Sequence, residues 1–180
     1  MNQLEILIDD LYDRSLVYID ICSSCSYYYN RSKYMFSLPI ILISSLLSIL
    51  NSNMLENDMK LINIILNVII ALLVSLSSLF KLGEKQQCFR SSAIKFTELN
   101  HNLQMAITLK EKITKEYIKN IIEKYDGIIG GIEFEIPNHI KTRIHNKYKT
   151  KRTLPLIING VEKDPEYRKP IGILNSPEIQ

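Results

Sequence analysis

Two apolar stretches without a single acid or base, Tyr34 to Leu55 and Leu61 to Phe80, are separated only by Glu56-Asn57-Asp58-Met59-Lys60. Each is about the 20 residues that an α-helix needs to cross a hydrocarbon core roughly 30 Å thick. A buried helix of a soluble protein would carry a polar face over that length, and neither stretch has a charged one. The pattern therefore predicts a transmembrane hairpin. It turns the question of function away from catalytic clefts and toward what a two-span chain can do in a bilayer.

The chain has 180 residues and a net charge of +3, which suggests one domain, with a quarter of it committed to the hairpin. The placement of charge says more than its sum. Arg31 and Lys33 precede the first span, Lys81, Lys85, Arg90 and Lys95 follow the second, and the loop between holds Lys60 alone. Counted near the span ends, this bias predicts both termini in the cytoplasm. The start, Met1-Asn2-Gln3-Leu4-Glu5, lacks the basic segment of a cleavable signal peptide, so the first span is expected to act as its own insertion signal.

Outside the spans the pattern is helical. Leu4, Leu7, Ile8, Leu11, Tyr18, Ile19 and Cys22 recur at spacings of mostly three or four, predicting an amphipathic helix over Asn2 to Asn30 that runs into the first span with little break. Tyr27, Tyr28, Tyr29 and Tyr34 gather where an aromatic belt would sit. Beyond the second span, Gly83 is the first residue suited to a break. Phe89, Ala93, Phe96, Leu99, Leu103 and Ala106 then mark a helix expected to pack back on the N-terminal one. Thr114, with Glu116 behind it, opens another helix that Gly127, Gly130 and Gly131 should close. Pro137 suits the first turn of a last helix carrying Ile140, Ile144 and Tyr148. The expected fold class is all-α: a transmembrane hairpin on a small cytoplasmic helical bundle over residues 1–149. A Pro-rich tail without regular structure follows over 150–180, where Leu154 to Ile158 suggests a short strand or a docking motif.

Polar residues inside the spans fall into stripes. Ser37, Ser44, Ser48 and Asn51 share one face of the first span, and Asn63, Asn67, Ala71, Ser75 and Ser78 drift around the second. Small and hydroxyl residues let helix backbones approach and hydrogen-bond in lipid. Two readings fit: the stripes zip the hairpin or an oligomer together, or they line a narrow conduit among several hairpins. Asn63 and Asn67 matter in both, because an unpartnered amide in hydrocarbon is costly. The lack of intramembrane charge argues against a proton-coupled or voltage-driven transporter. Pro39, early in its span, is expected to cost little.

No catalytic pattern emerges. Glu98-Leu99-Asn100-His101 is a single E-x-x-H, where a di-iron bundle needs two copies and two further Glu residues. His139 and His145 pair with no Cys, and no phosphate-binding glycine loop or nucleophile elbow is present. Cys22-Ser23-Ser24-Cys25 lacks the strand–helix context of a redox motif and reads as small residues on a helix near the membrane. No metal, cofactor, enzymatic activity or nucleic-acid partner is expected. A basic run, Lys141, Arg143, Lys147, Lys149, Lys151 and Arg152, reads either as a solvated helix face or as a contact with anionic lipid.

The whole arrangement resembles the SLATT family. The Ser- and Tyr-rich first helix (Ser15, Tyr18, Ser23, Tyr27, Tyr28, Tyr29) leads into Met35-Phe36-Ser37-Leu38-Pro39-Ile40-Ile41-Leu42-Ile43-Ser44-Ser45. A short loop, a second span and a long helix follow, then Tyr125 and the Ile136-Pro137 step. The likeness spans roughly Leu4 to Lys149. These are two-span proteins of bacterial conflict systems with relatives in large DNA viruses. The resemblance implies an oligomeric pore, opened in the bacterial systems by nucleotide-sensing partners, with membrane damage as its outcome. The alternative is a structural membrane protein, for instance of a viral or internal membrane, that recruits a soluble partner through its cytoplasmic helices and tail. The expected partners are thus the lipid bilayer, further copies of the chain and, through the tail, a soluble protein.

Overall fold

The computed structural model describes residues 3–52, 57–109, 114–150, 154–155 and 158. They form five helices: α1 (Gln3–Ser52), α2 (Asn57–Leu79), α3 (Leu82–Leu109), α4 (Lys115–Gly130) and α5 (Asn138–Tyr148). The lower half of α1, with α3, α4 and α5, makes a four-helix bundle. The upper half of α1 and α2 project from it as a helical hairpin.

α1 runs unbroken for 50 residues, about 75 Å at 1.5 Å per residue. It contains no glycine, and its core-facing residues Ile8, Leu11, Ser15, Tyr18, Cys22, Cys25 and Tyr29 step alternately by three and four. α3 answers with Phe89, Ser92, Phe96, Leu99, Leu103 and Ala106 in the same rhythm, the 3.5-residue repeat of coiled-coil packing. The two run antiparallel, with Tyr29 stacked on Phe89 at 5.7 Å and Tyr18 on Phe96 at 4.9 Å between ring centroids. Tyr125 of α4 meets both Tyr18 and Phe96 edge-on. α2 and α3 therefore descend one after the other along a single strut.

The joint between them is Lys81, which takes φ +48° and donates its N–H to the Ser78 carbonyl at 3.0 Å. The break thus falls two residues before Gly83, which lies in the first turn of α3. A left-handed lysine ends α2 as a glycine would, at a steric cost of roughly 1 kcal/mol. α4 begins as expected: the Thr114 side chain accepts the Tyr117 N–H at 3.2 Å. It continues through Gly127 and stops at Gly131, whose N–H reaches the Gly127 carbonyl. Pro137 sits one position earlier than expected, as the N-cap of α5.

Two further expectations change. Pro39 is not near a helix start, because α1 is continuous through it; it removes the hydrogen bond to the Met35 carbonyl in the middle of the helix. The packed core also reaches past residue 149. Pro155 is buried, and Ile158 is fully buried with the bundle core, so the described part of the Leu154–Ile158 run docks. The rest of the tail lies outside the described residues.

Candidate functional site: the exposed apolar hairpin

The hairpin has its own seam. Phe36, Ile40, Ile43 and Leu47 on α1 are half-buried or buried, as are Asn63, Leu66, Ile70, Leu73 and Ser77 on α2. Near its base Phe36 and Phe80 approach to 6.2 Å. Apart from Ser37 and Pro39, which are half-buried, the other described side chains of the hairpin between Tyr34 and Phe80 are open. Leu38, Ile41, Leu42, Leu46, Leu61, Ile64, Val68 and Leu72 are among the exposed side chains. The stretches Ile6–Ile49 and Lys60–Thr108 each contain an 18-residue window long and apolar enough to cross a membrane. Of the residues in those windows, 6% and 0% are buried. A core helix of a soluble protein passes the same length test but would be mostly covered.

Most of the polar stripe points away from the seam. Ser44, Ser48, Asn67, Ala71, Ser75 and Ser78 are exposed, Ser37 is half-buried, and the side chain of Asn51 lies outside the described residues. The structure brings together two stripe members: the Asn67 amide donates to both the Asn63 carbonyl (2.9 Å) and its side-chain oxygen (3.0 Å). Ser45, adjacent to the stripe, donates back to the Ile41 carbonyl at 2.8 Å, the usual way a helix satisfies a hydroxyl without a neighbour. Among the described residues no hydrogen bond joins Ser44 or Ser48 to Ser75 or Ser78.

Below the hairpin the aromatic belt divides. Tyr27, Tyr28 and Tyr34 are exposed, but Tyr29 is buried in the bundle, where its hydroxyl donates to the Glu135 carbonyl at 3.4 Å. Lys85 lies over the Tyr29 and Phe134 rings at 5.6 and 5.9 Å. Burial pushes the Tyr29 phenol above its ordinary pKa, with Cys25, Tyr28 and Glu135 adding to the rise.

The basic run is largely spent on docking α5. Lys147 meets Asp20 at 2.6 Å and Tyr148 donates to the same carboxylate oxygen at 3.2 Å. The Asp20 hydrogen bond, then its charge, raises the Lys147 pKa. Arg143 donates to the Ser24 hydroxyl, and Lys141, with only 16% of its side chain exposed, faces Glu135 at 3.6 Å. Lys149 is exposed; Lys151 and Arg152 lie outside the described residues.

Cys22 and Cys25, on the helix that runs up into the hairpin, are wholly buried in the bundle core. Burial first, then the neighbouring Cys25 and Cys88, pushes the Cys22 thiol up to about 12. Burial lifts Cys25 to about 12 as well, against a lowering influence from Arg143. Thiols held neutral in this way are poor nucleophiles and poor metal ligands. Among the described residues, no group of three or more His, Cys, Asp or Glu side chains is placed to hold a metal ion.

One polar feature escaped the sequence reading. Asn100, buried in the α1–α3 seam, donates to the Tyr12 carbonyl at 3.1 Å and the Ser15 hydroxyl at 2.7 Å, and Ser15 donates to Tyr12 at 2.8 Å. The signal was available: Asn100 and Ser15 are polar residues at core positions of two facing repeats. No family model, no curated protein and no solved structure matches this chain.

Proposed function

We propose that the chain is an integral membrane protein anchored by the α1–α2 hairpin, and that copies assemble through the outward polar stripe into a pore of the kind the SLATT resemblance implies. The observation that carries the first part is the exposure of the hairpin. Among the described residues, eighteen large apolar side chains from Tyr34 to Phe80 are left uncovered. At roughly 1 kcal/mol for the open part of each, hydrocarbon around them gains on the order of 20 kcal/mol. That exceeds the total stability of a typical domain, about 5–15 kcal/mol. Helical backbone meets the other demand of a bilayer, since its polar groups are paired internally.

The same orientation identifies the cations nearest lipid. Arg31, Lys33, Lys81 and Lys85 flank the hairpin base. Lys147 is tied to Asp20, fourteen residues before Tyr34 and thus about 21 Å along α1. That is more than two Debye lengths at physiological salt, so on this reading Lys147 stands too far below the bilayer for anionic-lipid contact, and the cations of the hairpin base stand nearer. Both termini then lie on the cytoplasmic side.

Support for assembly is the stripe itself. Ser44, Ser48, Asn67, Ser75 and Ser78 are not consumed by the hairpin's own seam, and polar groups facing hydrocarbon gain from another helix or a water column. Ion flux from liposomes at several protein-to-lipid ratios tests it. A steep rise with density, abolished by Asn63→Leu and Asn67→Leu with insertion intact, is the expected result. Unchanged flux in both variants removes the stripe as a lining. A scaffolding role has one observation in its favour: Ile6, Leu7, Met105, Ile107 and Leu109 are exposed at the ends of α1 and α3 remote from the hairpin. Silence at every density, with a soluble protein retained by the inserted chain, selects that reading.

A further inference from the structure

A groove of about 740 Å³ runs between α1 and α3 on the bundle surface. Its lining is unusual for this chain. Ser23, Ser26, Tyr27, Asn30, Gln86 and Arg90 all line it, and none of them has a hydrogen-bond or ionic partner among the described residues. Several cations elsewhere are engaged, Arg14 with Asp10, Lys81 with Glu84, Lys119 with Glu123, Lys141 with Glu135 and Lys147 with Asp20, whereas Arg90, like Arg31, Lys33 and Lys149, is open. The volume lies within the range of small-ligand sites.

Resting on the membrane orientation proposed above, we infer that the hairpin end of this groove seats the phosphorylated headgroup of an anionic lipid, with Arg90 as its charged anchor. Asn30 and Tyr27 stand four and seven residues before Tyr34, about 6 and 10 Å below the hydrocarbon edge. The headgroup layer is about 5 to 7 Å deep on each side, and a phosphorylated sugar projects beyond it. Arg90 starts lower, ten residues past Phe80, or about 15 Å. Helical side chains lean toward their helix N-terminus, and for α3 that direction is toward the bilayer. A guanidinium offers phosphate a planar pair of N–H donors, and the amides and hydroxyls beside it suit sugar hydroxyls. Polarity changes along the groove: beyond Ala93 and Ile94, the carboxylate of Glu98 lines it two turns further from the bilayer than Arg90, with His101 at the far end. The anion seat is thus confined to the membrane end, which favours a lipid headgroup over a free phosphate compound.

The test uses the purified full chain in micelles. Fluorescently labelled phosphatidylinositol 4-phosphate is titrated by anisotropy, with labelled phosphatidylcholine as reference and soluble inositol 1,4-bisphosphate as competitor. The expected result is saturable binding of the phosphoinositide, weak binding of the reference, and at least tenfold loss in Arg90→Gln but none in Lys149→Gln. Arg90 and Lys149 are both exposed, so neither change disturbs the core. Equal loss in the two variants, or no preference over phosphatidylcholine, overturns the site. Binding of the soluble bisphosphate as tightly as the lipid overturns the lipid assignment in favour of a free anion. Carbonate extraction of the chain from membranes reports separately on the orientation, so failure of the hairpin reading and failure of the groove are distinguishable.

Discussion

Leu72→Arg separates a membrane-spanning hairpin from an exposed helix in water by the sign of its effect. Leu72 is 65% exposed and lies within about two residues of the midpoint of the Leu61–Phe80 stretch. In water, exchanging an open leucine for arginine leaves the seam of Leu66, Ile70 and Leu73 untouched, so stability should move by less than about 0.5 kcal/mol and solubility should rise. At the centre of a span the same exchange replaces a residue contributing roughly −0.3 to −0.6 kcal/mol with one costing about 2.5 to 3.5. The swing is therefore about 3 to 4 kcal/mol against insertion, or roughly two to three orders of magnitude in the partition. Translation with microsomes, followed by carbonate extraction, reads it directly. The expected outcome is a marked drop in extraction-resistant chain for Leu72→Arg and none for Lys60→Arg at the hairpin tip. A Leu72→Arg chain that is recovered folded and soluble, with wild-type helix content, would refute the membrane reading.

Three other outcomes follow from the bundle. Phe96→Ala removes a ring stacked on Tyr18 and met edge-on by Tyr125, and should cost about 3 to 5 kcal/mol in thermal unfolding followed by circular dichroism in micelles; a loss below 1 kcal/mol would show that the ring cluster does not bear on stability. Asn100→Ala breaks two buried hydrogen bonds at about 1 kcal/mol each, while a double change of Asn100→Leu with Ser15→Ala should recover most of the loss, because both partners then become apolar together. Cys22 and Cys25 have folded-state values of about 12 against an ordinary thiol near 9, so the unfolded chain releases these protons first as the pH rises. Their contribution is complete below about pH 9 and is lost toward pH 12; the stability read by equilibrium unfolding should fall across that window, and Cys22→Ala should flatten the slope.

Much of the fold was legible because its signals are local. The uncharged runs fixed the hairpin, the spacing of Phe89, Phe96, Leu99 and Leu103 marked α3, and Thr114 marked the start of α4 through a side-chain cap written in one residue. What was not legible depends on pairing across distance. Tyr29 and Tyr28 are adjacent and chemically alike, yet one is buried on Phe89 and the other lies open beside His139. Only the register of α1 against α3 decides between them. The basic run of α5 looked free because Asp20 and Ser24, its partners, lie more than a hundred residues away in sequence. Lys81 in the left-handed region was hidden because glycine, two residues on, is the conventional sign of such a turn.

The order of the helices also sets a timetable for synthesis. Tyr29 and Phe89, which stack in the finished bundle, are 60 residues apart, and the whole apolar hairpin is made between them. At about 5 to 20 residues per second, the ribosome leaves the lower half of α1 without its main partner for roughly 3 to 12 seconds. During that interval Ile8, Leu11, Val17, Tyr18 and Ile21 form an uncovered stripe on a nascent chain whose next segment is the most apolar it contains. Until α3 emerges the first helix lacks its main intramolecular cover, and only then can the bundle close beneath the hairpin.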